Sequence, residues 1–538
     1  MKELELITKF LFILFFLLYS LHAQTQLDVQ KFRIYPSSVT QTEPVATVHP
    51  IDTQMLFVSA VTFNTSSAFR SEGVYVSTNS GADWFGNDTC TGALIYNHGG
   101  DPGIVITESD RFVLTHIGDL FSGIYSHYST NLGTSWFDAV TVTNKQTSDK
   151  GTITLDVSNT STYKGRIHLA WTDVVSPFSC VSSFSTNDGM TWSAPKIVNP
   201  NPVLRCVGGS VTTASNGTVY ICWSGITPSL PFREDFAGLA ISTDGGELWS
   251  SQQNIFDMNG VSGTLPSKGG IRVNGLPQIA IDKSGGTREG WIYIVTTEFD
   301  ISPAGSDPDL ILHRSTDGGS SWSPGIRINK DPINNGKIQY FPALEIDEEG
   351  GLNILFYDDR NTTSDSTDVF LTRSVDGGNT WAEYQIKNSR FKPKPILGGA
   401  SAYQGDHIAL LSVADKLYAF WMADYSGIYQ VWCSSIDLNI LSVDENEKLP
   451  VINFSLFQNF PNPFNSITKI SWQAPVSGWQ TLKVYDILGN EVATLVDEYN
   501  TSGKYETTFN GTGLPSGIYF YKFTAGAFSQ TKKLILLK

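Results

Sequence analysis

The chain has 538 residues, more than one ordinary domain needs, and carries a formal net charge of −16. Hydrophobic residues make up 41%, charged residues 16% and aromatics 12%, with 48 glycines, a mix that suits an all-β extracellular protein with many turns. No run of five basic residues occurs, so nucleic acid is excluded as an expected partner.

The first element is the stretch "MKELELITKFLFILFFLLYSLHAQTQ". Lys2 and Lys9 precede an apolar run from Phe10 to Leu21, and Ala23 follows before the sequence turns polar. That order is the order of a secretory signal peptide, taken as residues 1–23. The run is shorter than the roughly 20 apolar residues a membrane span needs. No other segment is apolar enough to cross a bilayer, so the mature protein is expected to lack a transmembrane segment. The five cysteines are Cys90, Cys180, Cys206, Cys222 and Cys433. An odd count leaves at least one thiol unpaired within the chain. No CxxC occurs, which disfavours a thiolate zinc site. Cys222, in "TVYICWSG", reads as a small core residue.

Six short loops then recur along the chain: "VSTNSGADWF", "YSTNLGTSWF", "FSTNDGMTWS", "ISTDGGELWS", "RSTDGGSSWS" and "RSVDGGNTWA". They share the pattern S-x-[DN]-x-G-x-x-W. In chain order the residues are Ser77, Asn79, Gly81 and Trp84; Ser129, Asn131, Gly133 and Trp136; and Ser185, Asn187, Gly189 and Trp192. Then come Ser242, Asp244, Gly246 and Trp249; Ser315, Asp317, Gly319 and Trp322; and Ser374, Asp376, Gly378 and Trp381. Each loop follows a β-rich run such as "DLILHR", and most precede another such as "PGIRIN". The Asp or Asn side chain can bond the turn's own N–H groups, the glycine supplies a positive φ, and the Trp buries a large ring. A catalytic site is not needed six times, so these loops read as structural staples. They resemble the Asp-box, or BNR repeat, of the sialidase superfamily, and that resemblance implies a β-propeller.

First strands of repeating units begin near Pro44, Pro102, Gly151, Gly208, Pro277, Pro342 and Asp406. This predicts an all-β, seven-bladed β-propeller over residues 26–438, with six blades as the alternative because sialidases have six. The last unit has three strands and no S-x-[DN]-x-G-x-x-W loop. The segment "QLDVQKFRIYPS" is expected to supply its fourth strand and close the ring. Within this reading Cys180 and Cys206 fall at one rim of adjacent blades and form the expected disulfide.

Residues 439–453 read as a charged linker. The tail, residues 454–538, contains "NFPNPFN", "VYDILGNEV" and "GIYFYKF…KKLILLK" and reads as a small β-sandwich with turns at "DILGN" and "NTSGK". It resembles the type A C-terminal sorting domain of the type IX secretion system. The resemblance implies transit through the periplasm and outer membrane by that machinery, commonly followed by removal of the tail and anchoring to surface lipopolysaccharide. The protein is therefore expected to be secreted or surface-anchored, and a monomer.

In propellers of the resembled type the ligand face lies opposite the staple loops, where first strands begin and second strands end. First-strand starts there offer Glu43, Asp101, Arg205, Tyr340, Tyr403, Asp406 and His407. Second-strand ends offer Asp119, Asp173, Glu298, Asp358, Asp359, Arg360 and Asp424. Asp359, Arg360, Asp406 and Glu298 are the catalytic candidates. Glu43, Asp101, Asp173, Arg205, Tyr340, Tyr403, His407 and Asp424 are the ligand-binding candidates. Sialidases clamp a substrate carboxylate with three arginines, because a forked guanidinium binds it bidentately. Only Arg205 and Arg360 fall on the expected face, and Arg33 in "FRIYP" precedes the blade, so that triad is not evident. So many carboxylates near one mouth need compensation. Bound Ca²⁺, an acid–base pair acting on a glycosidic bond, or simple solvation would each provide it. The stretch "FYDDRN" also reads as a local ion pair that fixes a loop. His116, His168 and His407 form no HxH or HExxH spacing and read as strand or rim residues. Tyr340, Tyr403 and Tyr425 are candidates for stacking on sugar rings, or else for blade packing. The expectation is an exported propeller that engages extracellular glycans, catalysis open. A sialidase-like glycoside hydrolase or polysaccharide lyase, and a non-catalytic surface protein that binds other proteins, are the alternatives.

Overall fold

The computed structural model describes residues 25–64, 69–90, 98–176, 178–230, 232–441, 454–459, 461–501, 503–526 and 528–538. The expected signal peptide and most of the expected linker lie outside them. The described residues are all-β with three short 3-10 turns and no α-helix, and they divide into two compact units between Leu441 and Ser442.

In the first unit, seven antiparallel sheets follow one another along the chain. Their inner strands are Thr40–Val48, His98–Ile106, Ser148–Leu155, Arg205–Thr213, Gln278–Ile281, Gln339–Ile346 and Ala409–Val413. Each inner strand packs beside that of the next sheet, and Ala409–Val413 packs beside Thr40–Val48, so the series closes into a ring. Each sheet steps outward in chain order, as in Gln339–Ile346, Leu352–Asp358, Asp368–Ser374 and Ala382–Ile386.

The second strand of each sheet is covered on both faces by neighbouring sheets. That is why Leu352–Asp358, Ile292–Glu298 and Ile167–Asp173 are buried at every position and read as continuous apolar runs rather than alternating ones. The seams between sheets are apolar. Phe57, Val74 and Val76 of the first sheet meet Ile104, Phe112 and Leu114 of the second. Leu56, Val58 and Tyr75 meet Leu411, Tyr418 and Phe420 of the last. Each such side chain contributes about 1.5–3 kcal/mol by leaving water.

The chain's beginning closes the ring at two places. Phe32–Arg33 pairs antiparallel with Gln430–Asp437 and gives the last sheet its fourth strand. Thr25–Leu27 pairs in parallel with Ala382–Ile386 and adds a fifth strand to the sheet before it. A hairpin, Gly263–Leu265 with Ile271–Val273, is inserted ahead of the fifth inner strand.

The six repeated loops are built alike. In each, the serine Oγ accepts the glycine N–H at 2.8–3.1 Å and donates to the Asn or Asp Oδ1. The same Oδ1 accepts a backbone N–H four residues on, as from Ser321 to Asp317 at 2.9 Å. The glycines sit at φ 72–91°, where a side chain would be strained. Trp136 and Trp381 are buried beneath their loops.

The expected Cys180–Cys206 bridge is not formed. All five cysteines are free and buried. Cys180 and Cys206 share one apolar core, and Asn199 links them by accepting the Cys180 N–H and donating to the Cys206 sulfur, each at 2.8 Å.

In the second unit, Ser455–Leu456, Ile467–Ala474 and Gly503–Asn510 form one sheet. Glu491–Asn500, Gly478–Tyr485, Gly517–Ala525 and Phe528–Leu536 form another. Trp472, Leu482, Val484, Phe509, Tyr521 and Phe523 make its own core.

Candidate functional site at the axis

Five of the seven inner strands carry a β-bulge at the same place, near their start. The register slips between Thr42 and Val45, Gly100 and Gly103, Asp149 and Thr152, Val207 and Ser210, and Tyr340 and Ala343. The first bulged residue is left-handed in every case: Glu43 at φ 52°, Asp101 at 54°, Lys150 at 55°, Gly208 at 74° and Phe341 at 53°. For a residue with a Cβ this costs about 1–2 kcal/mol, so the surrounding structure must impose it. Strain of this kind gathers at functional sites.

The bulges surround a cavity of about 270 Å³ lined from all seven inner strands. Its walls are apolar and backbone-rich, from Val45, Ile104, Ile153, Leu276, Ala343 and Leu410, while its polar lining includes Asp101, Lys150, Asn274, Asp406 and His407, with Thr152, Ser210 and Gln278. Lys150 Nζ lies 3.8 Å from Asp101 Oδ1 and 3.0 Å from His407 Nδ1. The Lys150 N–H donates to Asp101 Oδ2 at 3.1 Å. From the inserted hairpin, Arg272 binds both carboxylate oxygens of Asp406, and just beyond it Asn274 donates to the Asp406 carbonyl at 3.0 Å. The Asp406 N–H donates to Glu43 Oε1 at 2.8 Å. The Arg272 guanidinium lies 5.3 Å from the Tyr403 ring centre.

Burial, then the Asp406 and Asp101 carboxylates, pushes Glu43 up to about 8. Burial and Asp101 push Asp149 up to about 7. Burial works against the charge of Lys150, but Asp101, Glu43, Asp406 and Asp149 outweigh it and hold the ammonium above its usual value. The cluster therefore keeps carboxyl protons near neutral pH beside a fixed cation. It can donate and accept protons, and it can bond hydroxyl groups.

Of the residues expected at the site, Glu43, Asp101, Tyr403, Asp406 and His407 come together here. Of these five, Asp101, Asp406 and His407 line the cavity and Glu43 and Tyr403 stand behind them; the other expected residues do not line it. Asp359 is buried, accepting Lys268 Nζ and the Ile338 N–H. Arg360 is held by Asp358 and Glu383 and caps the Phe370 ring. "FYDDRN" is thus the loop-fixing ion pair. Glu298 is buried and accepts Thr296 Oγ1 at 2.5 Å. Asp173 pairs with Lys145 and Asp424 with Lys394, each at 2.5 Å. Arg205 lies 5.6 Å from the Phe178 ring centre, and Tyr340 is a fully buried core residue. Neither Tyr340 nor Tyr403 offers an open face to a sugar, being 0% and 7% exposed.

The sequence reading missed Lys150, Asp149 and Arg272. Lys150 stands directly before Gly151 as Glu43 stands before Pro44 and Asp101 before Pro102, so the strand frame held its signal. Arg272 belongs to an insertion outside that frame. The acidic mouth is answered by the protein's own cations. Lys150 stands among the carboxylates where a bridging Ca²⁺ would have to lie, so this donor set does not fit that ion.

The first unit is a propeller-like ring of β-sheets about an axial cavity. A family model described as a secretion system C-terminal sorting domain matches residues 458–537. The tail is a type IX C-terminal sorting domain, and the protein is exported to the cell surface or outside. Among curated proteins no relative matches the sequence. Similar solved structures include an ulvan lyase, a polysaccharide lyase bound to an oligosaccharide, at 9% identity and TM-score 0.49, covering 76% of this chain and 96% of that one. An α-L-arabinanase of Penicillium chrysogenum is similar at 14% identity and TM-score 0.41, covering 77% and 99%. A Dyadobacter fermentans protein of unknown function is similar at 14% identity and TM-score 0.39, covering 62% and 94%.

Proposed function

We propose that residues 26–438 are a seven-bladed Asp-box β-propeller, that 439–453 are a linker, and that the sorting domain at 454–538 is a β-sandwich. The exported propeller binds extracellular carbohydrate at the mouth of its axial cavity. The observation that carries this reading is the convergence of Asp101, Lys150, Asn274, Asp406 and His407 on one cavity lined from every inner strand. Carboxylates and an amide bond sugar hydroxyls, and Lys150 with Arg272 can meet an acidic sugar. Phe121 and Phe232, 45% and 39% exposed, lie on loops between second and third strands, on the end where the inner strands start. They offer apolar faces for sugar rings. A glycan array probed with the mature protein tests the proposal. Binding that Lys150→Met removes supports it, and binding to no glycan overturns it.

One observation favours catalysis as a second reading. Glu43 and Asp149 sit at about 8 and about 7, within the range of a working acid and base. The reaction would be hydrolysis or lyase cleavage of a polysaccharide. New oligosaccharide ends in a substrate panel, lost in Glu43→Gln, would support it. The exo-sialidase reading has less support, because Arg272 is the one guanidinium bound into the axial cluster among the described residues.

A further inference from the structure

Within the second sheet, His98, His116 and His127 stand side by side on three adjacent strands. All three are buried, at 2%, 5% and 1% exposure. His98 lies on the inner strand, His116 on the second and His127 on the third. One ring nitrogen from each lies within 4.8 Å of the others. The rings are nearly parallel, with His98 stacked on His116 at 3.7 Å between centres and His116 beside His127 at 5.1 Å.

The carbonyls beside two of the rings favour one tautomer. His116 Nδ1 faces the Ile117 carbonyl at 2.7 Å, and His127 Nδ1 faces the Phe137 carbonyl at 3.4 Å. A carbonyl only accepts, so these contacts favour the proton on Nδ1 of both rings. In neutral rings both Nε2 atoms then present lone pairs. Those two atoms lie 3.0 Å apart. Two lone pairs at that distance repel, and either a proton on one Nε2 or a metal ion between the rings relieves them. Among the described residues, neither nitrogen of His98 has a hydrogen-bond partner. Beside it, Glu72 is fully buried, neither of its carboxylate oxygens has a hydrogen-bond partner among the described residues, and Oε1 lies 3.9 Å from His98 Nδ1.

We propose that His98, His116 and His127, with the Glu72 carboxylate completing the set, form a zinc site. Three imidazoles and one carboxylate are a donor set of the kind zinc takes. The backbone carbonyls of Ile117 and Phe137 are the outer partners that orient metal-bound histidines. Zinc bonds of about 2.0–2.1 Å in tetrahedral geometry put ligand atoms about 3.3–3.4 Å apart, so the 3.0 Å pair opens slightly, the 4.8 Å spread contracts by about 1.4 Å, and the stacked His98 ring turns toward the ion. The Glu72 charge, costly alone in the interior, would be compensated by the ion. The site is separate from the axial cluster, although Glu72 is within electrostatic range of Asp101 and Glu43. The spacing, H-x₁₇-H-x₁₀-H, matches no short ligand motif. The sheet, not the local sequence, brings the three rings together.

The test uses the full mature protein, stripped with a chelator and titrated with zinc chloride at neutral pH. Calorimetry and elemental analysis are expected to give one zinc per chain, with a rise in thermal midpoint on loading. His98→Gln and His127→Gln should each weaken binding by more than the roughly 10–100-fold typical of losing an outer partner. Cobalt substitution of the unmutated protein should give the visible absorption of a four-coordinate ion, which needs no variant to fold. No zinc bound, unchanged affinity in both variants, or a cobalt spectrum of the hydrated ion would each overturn the proposal.

Discussion

Lys150 Nζ lies 3.0 Å from Nδ1 of His407, 257 positions away in the chain. An ammonium has only protons to give, so His407 must accept at Nδ1 and carry its own proton on Nε2. Burial and Lys150 together hold His407 well below its usual value. The pair is therefore a lysinium and a neutral imidazole, and Lys150 supplies the cluster's positive charge on this side of the cavity.

Replacing that charge should be felt in both stability and binding. Lys150→Met leaves Glu43, Asp101 and Asp149 facing one another with one cation fewer. Lys150 and Asp101 are partly exposed, 17% and 13%, so the loss should be on the order of 1–3 kcal/mol. Denaturant unfolding should show the loss, and the glycan array should lose its signal. Unchanged binding by this variant would place the ligand elsewhere.

Glu43 predicts an inverted pH dependence. Its folded value of about 8 lies above the ordinary 4.5. Between those values the folded state holds a proton that the unfolded state has released, so stability falls as pH rises through the window. Glu43→Gln keeps an acceptor for the Asp406 N–H and has no proton to lose. Its urea midpoint should fall less steeply over the window and exceed that of the parent at the alkaline end. Parallel curves for the two proteins would contradict this.

Arg360→Ala should separate structure from site. Arg360 is 8% exposed and bound to Asp358 and Glu383. Truncation strands two buried carboxylates and costs about 3–5 kcal/mol. Glycan binding, measured at a temperature where the variant stays folded, should equal that of the parent.

How much of this was legible beforehand depends on what each residue obeys. The six S-x-[DN]-x-G-x-x-W loops repeat because each turn needs the same bonds, so the ring could be read from them. Glu43, Asp101, Asp406 and His407 could be read because they stand at the starts of apolar inner strands. Asp359 and Arg360 looked equally exposed in the text. Their partners Lys268 and Glu383 come from other segments, and only the folded chain shows the charges already spent on each other. The three histidines of the second sheet were unreadable for the same reason: strand pairing, rather than spacing, sets their distance.

The staple loops carry their own prediction. Ser315→Ala removes the acceptor of the Gly319 N–H and a donor to Asp317. An unsatisfied buried donor costs about 1–3 kcal/mol. The thermal midpoint should drop while glycan binding persists, since this loop lies at the end of the sheets opposite the inner-strand starts.

Deleting residues 458–537 should stop export at the outer membrane without unfolding the ring, because the tail has its own core. Fractionation should find the shortened protein in the periplasm, resistant to mild proteolysis. Surface display of the shortened form would contradict the assignment.

Thr25–Leu27 and Phe32–Arg33 each finish a sheet whose other strands come from the far end of the unit. The earliest of these segments to leave a ribosome is thus the last to find its partners. Until residues 382–437 arrive, two sheet edges cannot be covered, and the ring stays an open arc with unpaired backbone. An exported protein that must stay unfolded through one membrane gains from such a clasp. Premature closure is impossible in a partly emerged chain, and a proteolytic cut that frees residues 25–33 would expose both edges at once and seed strand-to-strand aggregation.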